Sequence, residues 1–284
     1  MAGRATGMGR IAAAAIALAA ASTGAAGAPT QRIVSINMCA DALLLALAEP
    51  AQIAALTALS HDPRNFSRAD EAARFPATAG RAEDVLALAP GLVLASAFTA
   101  PATVSLLRRL GAPLRQLPVA SDFPQLRAQM RDVAAAIGQQ DRGEAAIAAM
   151  DRRLDDLAHD MPLPPLSVLA LQANNIVAGE GTLADTVIRA AGLTNAAAQA
   201  GISGYGRMSL EAMLALAPDV LVIDADGDNA PARANRLLHH PALAALTRNG
   251  TRAVTMPSRL WVCAGPDLVD AVAHLRASLR QEGE

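Results

Sequence analysis

The stretch that decides the fold is EDVLALAPGLVL, residues 83–94, because a closely similar stretch, EAMLALAPDVLV, returns 128 residues later as residues 211–222. In each copy a glutamate begins a short apolar helix, a proline ends the helix, and a strand of the buried type follows. Similarity by chance is the alternative, since alanine and leucine are abundant in this chain. A repeat at a fixed offset that keeps the glutamate and the proline instead indicates a duplicated unit. The sequence therefore predicts two similar lobes.

Strand-like and helical segments alternate in both halves of the chain. Strand-like runs occupy residues 32–36, 53–59, 114–117, 167–171 and 253–256. Helical segments lie between most of these runs, and loops are expected over residues 61–74 and 172–181. Such alternation is typical of α/β folds with parallel strands.

The segment between the two halves, residues 122–160, has a different pattern. Its apolar residues recur at helical spacing on either side of Gly138, and prolines from Pro162 onward end the helix. A helical segment of this length favours a rigid bridge over a flexible linker. We therefore predict an α/β protein with two similar lobes joined by a single long bridging helix. The predicted parts are an N-terminal lobe over residues 29–121, a helical segment with the bridging helix over 122–162, and a C-terminal lobe over 163–284.

The first 28 residues have the pattern of a secretory signal peptide. A positively charged start with Arg4 and Arg10 precedes an alanine-rich apolar run over residues 11–21, and small residues follow. The apolar run is too short for a membrane anchor. Since no cysteine precedes Cys39, no attachment site for a lipid is seen. We expect an exported, soluble, periplasmic protein.

Composition argues against several other classes of protein. Hydrophobic residues make up 52% of the chain and charged residues 18%, which argues against disorder. A formal net charge of −2 gives no electrostatic case for binding nucleic acid. The five histidines are His61, His159, His239, His240 and His274. They are too scattered in the sequence to predict a zinc or manganese site, and we predict no metal site formed by the protein itself.

Several segments occur in an order and spacing known from one protein family. They are RIVSIN (32–37), EDVLALAPGLVL (83–94), GEGTL (179–183), AGLTN (191–195), HPAL (240–243), RAV (252–254) and Trp261. With these segments the chain resembles, over residues 31–280, the periplasmic substrate-binding proteins of ABC importers for iron complexes and vitamin B12. The resemblance implies the class III periplasmic-binding fold, with a largely preformed ligand site between two lobes on a rigid helix.

The same resemblance implies a function in transport. The protein would capture a metal chelate (a ferric siderophore, haem or cobalamin) and deliver it, as a monomer without a cofactor or catalytic residues of its own, to the membrane-spanning subunits of an ABC importer. In the family, one glutamate of each lobe pairs with arginines of the importer, and the matching residues here are Glu83 and Glu211. The alternative is that both acids only complement the dipole of the helix that they begin.

Cys39 and Cys263 are the only cysteines of the chain, and both are expected near the cleft. They could form a disulfide, which an oxidising compartment permits. They could instead be thiolates that touch the ligand or a metal, or separate small apolar residues of the packing. A redox or chelate-processing protein that uses this pair on the same scaffold is the alternative function.

Four of the six aromatic residues fall on predicted loop tips, where we expect exposed side chains, namely Phe66, Phe98, Tyr205 and Trp261. Aromatic side chains in such places suggest a wall that stacks on a large planar or apolar ligand, although packing between loops is the alternative. The predicted ligand-binding residues are Asn37, Cys39, His61, Phe98, Gln172, Tyr205, Trp261 and Cys263.

Overall fold

The computed structural model describes residues 31–224 and 250–281, together with Met1 and Gly3. Apart from Met1 and Gly3, the predicted signal peptide over residues 1–28 lies outside the described residues, as does the family-like segment over residues 240–243. The described residues from Gln31 onward belong to one compact unit. None of the described helices has both the length and the apolar character that crossing a membrane requires.

The first half of the chain forms a parallel sheet with helices around it. Its strands are β1 (Ile33–Ser35), β2 (Ile53–Thr57), β3 (Ala77–Thr78), β4 (Leu92–Ser96) and β5 (Leu114–Leu117), and its helices are α1 (Met38–Leu47), α2 (Ala69–Ala72), α3 (Ala82–Ala87) and α4 (Pro101–Arg109). The strands lie in the order β3-β2-β1-β4-β5, all parallel. The predicted parallel α/β half is confirmed, with α2 and β3 as additions inside or next to the segment expected to be a loop.

Two helices follow, α5 (Phe123–Ala136) and α6 (Gln140–His159), in the segment predicted to be helical. They are separated at Gly138, whose φ of +71° is a conformation that glycine adopts without the penalty of a side chain. The 20 residues of α6 span about 30 Å. Because α6 contacts both α1 of the first half and the last helix of the second half, it is the element that bridges the two.

The second half of the chain forms a mixed sheet. Its strands are β6 (Ser167–Gln172), β7 (Ile176–Ala178), β8 (Thr194–Asn195), β9 (Tyr205–Arg207), β10 (Val220–Asp224) and β11 (Arg252–Met256), and its helices are α7 (Leu183–Ala190), α8 (Ala196–Gln199), α9 (Leu210–Leu216) and α10 (Leu268–Gln281). The main order is β11-β10-β6-β7-β9, with β8 beside β6. The pairs β6–β7 and β7–β9 are antiparallel. The sequence predicted a loop at residues 172–181, which in fact contains β7.

The duplicated stretch folds in the same way in both halves. Its first copy contains α3 and β4, and its second copy contains α9 and β10. Ala89 and Ala217, which precede the two prolines, have φ values of +45° and +44°. Alanine rarely adopts this left-handed conformation, because its Cβ crowds the following carbonyl. The shared unusual backbone supports a duplicated unit over chance similarity.

A buried carboxyl group ties α1 to β2. Asp41 is fully buried. Its Oδ2 accepts hydrogen bonds from the Thr57 backbone N (3.0 Å), from Thr57 Oγ1 (2.6 Å) and from Ser60 Oγ. Its Oδ1 has no hydrogen-bond partner among the described residues. Burial raises the pKa of Asp41 to about 6, although the hydrogen bonds from the serine and threonine hydroxyls oppose this rise.

This raised pKa predicts a pH-dependent stability. The native pKa of about 6 exceeds the ordinary value of 3.8, so Asp41 stabilises the fold less as the pH rises from about 4 to about 6. A shift of this size corresponds to about 3 kcal/mol. Asp41→Asn removes the ionisation and nearly keeps the shape. Relative to the native chain, the variant should therefore gain about 3 kcal/mol of unfolding free energy between pH 4 and pH 7.

Urea unfolding at several pH values measures this difference, and comparison at each pH cancels the contribution of all other carboxylates. Asp84→Asn is the matched control, because Asp84 is an exposed aspartate in the first turn of α3. A stability difference between the Asp41 variant and the native chain that stays constant from pH 4 to pH 7 would contradict the prediction.

Candidate functional site

A cavity of about 220 Å³ lies at the carboxyl ends of β1, β4 and β5, which is where open α/β sheets bind ligands. Its wall from the first half and from α5 consists of Asn37, Cys39, Ala40, Leu43, Ser96, Phe98, Leu117, Pro118, Val119, Ala120 and Gln129. The second half closes it with Leu183, Val262 and Ala264. We call this cavity the pocket. Its described wall is mostly apolar, and its polar groups are uncharged amides and a hydroxyl.

Two short turns build the wall at β1 and β4. Asn37 caps α1, and its Oδ1 accepts hydrogen bonds from the backbone N of Cys39 (3.1 Å) and of Ala40 (3.2 Å). At the end of β4, Ser96 Oγ accepts a hydrogen bond from the Phe98 backbone N at 3.1 Å. The side chain of Phe98 is 81% exposed. An exposed phenyl ring on an apolar wall is suited to stacking on a ligand.

The wall after β5 is held by a buried amide. Gln129 of α5 is only 8% exposed, and its Nε2 donates a hydrogen bond to the Pro118 carbonyl oxygen at 2.8 Å. This bond fixes the loop that carries Val119 and Ala120 into the pocket. This part of the pocket wall is thus anchored to α5.

The second half reaches the pocket through the start of α7. Thr182 caps this helix, since its Oγ1 accepts a hydrogen bond from the Asp185 backbone N at 3.1 Å and donates one to the Gly179 carbonyl oxygen at 2.8 Å. Gly179 has no room for a side chain, because a Cβ there would collide with the Ile202 carbonyl. The GEGTL segment of the sequence therefore forms the turn that places Leu183 against the pocket.

Cys39 and Cys263 form a disulfide, with Cα atoms 4.9 Å apart. Of the three alternatives that the sequence left open, the structure therefore has the disulfide, and neither cysteine is free. Val262 and Ala264, which flank Cys263, both line the pocket. The disulfide therefore lies at the pocket wall and joins its two halves.

The predicted ligand-binding residues divide into two groups. Asn37, Cys39 and Phe98 line the pocket, and Cys263 is bonded to one of them. The other four, His61, Gln172, Tyr205 and Trp261, do not belong to the described wall.

Three of the four residues outside the wall lie in other parts of the fold, and the fourth, Trp261, is buried in the core. The ring nitrogens of His61 lie 3.0 Å from the Thr57 carbonyl oxygen and 3.1 Å from the Phe75 carbonyl oxygen, so backbone groups engage both. Gln172 ends β6, and Tyr205 is an exposed residue of β9.

The expectation that the loop aromatics are all exposed is wrong for two of them. Phe66 is 4% exposed and Trp261 is 6% exposed, because both pack into the large apolar core that runs through the two halves. Phe98 and Tyr205 remain exposed as expected.

Sequence reasoning missed the pocket residues Leu43, Gln129 and Leu183 and the loop over residues 117–120. One signal was available for this loop, since it follows directly after the predicted strand 114–117, and parallel strands place their carboxyl ends at one edge. The pocket residues on α5 and α7 could not be predicted without knowing how these helices pack.

The two predicted docking residues lie away from the pocket wall. Glu83 and Glu211 are exposed in the first turns of α3 and α9. Hydrogen bonds from its own backbone N–H and from Ser209, the residue that caps α9, lower the pKa of Glu211. Within residues 31–224 and 250–281, no three His, Cys, Asp or Glu side chains cluster as a metal site would require.

Solved structures with the same fold include several binding proteins. The periplasmic heme-binding protein RhuT from Roseiflexus sp. RS-1 is 27% identical, with a TM-score of 0.73 over 90% of this chain and 100% of that one. A periplasmic heme binding protein from Pseudomonas aeruginosa is 27% identical, with a TM-score of 0.71 over 88% and 92%. The periplasmic vitamin B12 binding protein BtuF of Vibrio cholerae is 19% identical and shows the fold alone, with a TM-score of 0.66 over 90% and 99%.

No curated protein matches the chain significantly. The family model for periplasmic binding proteins matches residues 33–254, which include most of both sheets and the bridging helix. This match confirms the resemblance seen in the sequence, the fold class predicted from it, and the prediction of a binding protein rather than an enzyme. The chain belongs to the periplasmic binding protein family.

Proposed function

We propose that this protein captures a metal chelate, namely haem, cobalamin or a ferric siderophore, and delivers it to an ABC importer. The observation that carries the proposal is the pocket, which is built from both halves of the chain and presents an apolar wall with an exposed phenyl ring. A wall of this kind stabilises a planar or apolar ligand by burial and stacking.

The rim of the pocket extends this apolar surface. Phe98, Val119 and Val262 line the pocket and are 81%, 50% and 49% exposed. A cavity of about 220 Å³ holds one part of a chelate, and the rim would cover a further part of it. The two heme-binding proteins at 27% identity support a ligand of this class, and the B12-binding neighbour supports only the scaffold.

Titration of the purified mature protein tests the proposal. Hemin, cyanocobalamin and a panel of ferric siderophores are added while the fluorescence of Trp261, the single tryptophan, is followed. We expect one chelate to bind with a Kd below about 10 µM. Phe98→Ala should weaken this binding about tenfold or more, because a stacked phenyl ring buries a large apolar area.

Leu110→Ala is the matched control, since Leu110 is an exposed apolar residue outside the pocket wall. The Leu110→Ala variant should bind the chelate with the same affinity as the native protein. Failure of every chelate to bind below about 10 µM would refute the proposed ligand class, and equal affinities of the Phe98 variant and the control would move the ligand away from the pocket.

The proposal also covers the cellular location of the protein, its oligomeric state and its contact with the importer. The family is periplasmic. We propose that residues 1–28 direct export, that the mature chain is soluble and acts as a monomer, and that Glu83 and Glu211 contact the membrane-spanning subunits of the importer. The duplicated exposed glutamates support this last step, since a two-fold partner would meet one acid from each half.

A further inference from the structure

The Cys39–Cys263 disulfide connects residues that are 224 positions apart. Cys39 lies in the first turn of α1, directly after β1. Cys263 lies in the short segment between the 3-10 turn over Ser258–Leu260 and helix α10. Within the described residues it is the only covalent link between the two halves apart from the chain itself.

The segment that contains Cys263 is also a wall of the pocket. Val262 and Ala264 line the cavity on either side of the cysteine. The backbone N of Val262 donates its hydrogen bond to the Ser258 carbonyl oxygen at 2.9 Å, within the segment's own turn. That bond shapes the turn and does not attach it to α1.

The segment approaches α1 closely at this point. A Cβ added to Gly265 would lie 3.2 Å from the Cβ of Ala42 on α1, which is tighter than an ordinary apolar contact. Cys39 Sγ lies 3.9 Å from the Val262 carbonyl oxygen. The width of the pocket between α1 and the wall residues Val262 and Ala264 therefore depends on how this segment is held.

We propose that the Cys39–Cys263 disulfide is a positioning element of the pocket: it holds residues 262–264 against α1 and so sets the pocket width before a ligand arrives. This inference rests on the proposed function as far as ligand affinity is concerned. Trp261 and Ala264 also hold this segment, because both are buried in the core. Without the link, residues 262–264 would be held by packing alone, and the freedom that they gained would have to be lost when the ligand binds, which would weaken binding. With the link, the wall is already in place.

Three forms of the mature protein separate this role from a purely stabilising one. The first is the native disulfide form. The second is the double variant Cys39→Ser, Cys263→Ser. The third is native protein that is reduced to the dithiol and then treated with diiodomethane. Each thiol loses its proton and displaces one iodide ion, so that a single methylene group bridges the two sulfur atoms. The third form restores the link without the disulfide bond.

Affinity is measured with hemin, cyanocobalamin, ferric siderophores and the neutral apolar dye N-phenyl-1-naphthylamine. We expect the double serine variant to bind the preferred chelate about tenfold more weakly or worse, and the methylene-bridged form to bind within about threefold of the native form. A double serine variant that is folded by circular dichroism and binds as tightly as the native form would overturn the proposal. Weak binding by a folded, bridged form would do the same.

Backbone hydrogen exchange tests the inference without any ligand. In the double serine variant, residues 258–264 should exchange faster, whereas β4 in the first sheet should exchange at an unchanged rate. If no chelate binds even to the native form, the proposed function fails while this result still decides the positioning role. If the variant unfolds, the comparison is repeated in sodium sulfate, which strengthens apolar burial. Unchanged exchange of residues 258–264 in the folded variant overturns the inference.

Discussion

The double variant Cys39→Ser, Cys263→Ser is expected to lose about 5 kcal/mol of unfolding free energy. The disulfide closes a loop over a sequence separation of 224 residues. Cross-linking such distant positions removes many conformations from the unfolded chain, and the chain-entropy relation gives about 5 kcal/mol for a loop of this size. This is a large part of the total stability of a typical protein.

Urea unfolding of both forms measures the loss, and thermal unfolding should show a melting temperature lower by about 10–20 °C. The methylene-bridged protein is the control, because it keeps the loop closed and should retain most of the stability. A loss below about 1 kcal/mol would contradict the entropic account, and it would mean that the unfolded chain stays compact without the link.

Much of the fold follows from local patterns that the sequence displays directly. The repeated stretch predicted a helix and a strand in each half, and the structure has α3 with β4 and α9 with β10 there. The largely buried strands β1 and β6 coincide with the runs predicted for them to within one residue at each end. Their apolar composition is sufficient, because a strand buried on both faces needs little information from its neighbours.

The parts that were missed depend on partners far along the chain. The three-residue strands β7 and β9 exist because each pairs with a neighbour in the second sheet, and neither has a length or a pattern that predicts a strand alone. Gly179 illustrates the same point, since its close approach to the Ile202 carbonyl appears only after β7 and β9 have been paired.

The pocket was predictable in position but not in composition. Its place at the carboxyl ends of the strands was implied by the family resemblance. The predicted set included Asn37 and Phe98, which line it. The direction of a loop side chain depends on packing, so Trp261 was expected at the ligand and instead lies in the core. The disulfide needed three-dimensional proximity, because cysteines 224 positions apart reveal no pairing by themselves.

Replacement of Glu83 or Glu211 by alanine is expected to weaken binding of the protein to its importer while the affinity for ligand stays unchanged. Both residues are exposed, and neither contributes to the pocket wall. Removal of one partner from a desolvated arginine–carboxylate pair costs about 2–5 kcal/mol, and less if the pair stays hydrated at the rim. Glu83→Arg should be worse than Glu83→Ala, because it adds repulsion between like charges.

Two matched variants separate docking from helix stability. Asp84→Ala removes an exposed acid from the same turn of α3 and should leave docking intact. Ser209→Ala removes the hydrogen bond from the Ala212 backbone N to Ser209 Oγ (3.2 Å), which caps α9, and the hydrogen bond from Ser209 to the Glu211 carboxylate, but it keeps the exposed charge of Glu211. It should therefore lower stability by about 1 kcal/mol without weakening docking.

Binding to the cognate permease–ATPase complex in lipid nanodiscs and thermal unfolding are measured on the same set of variants. If the glutamates only complement helix dipoles, each alanine variant loses about 0.3–1 kcal/mol of stability and docks normally. That outcome would refute the docking role. Weakened docking at full stability, confined to the two glutamate positions, would instead show that the duplicated stretch supplies one contact from each half to a two-fold partner, which connects the repeat in the sequence to the delivery of the ligand.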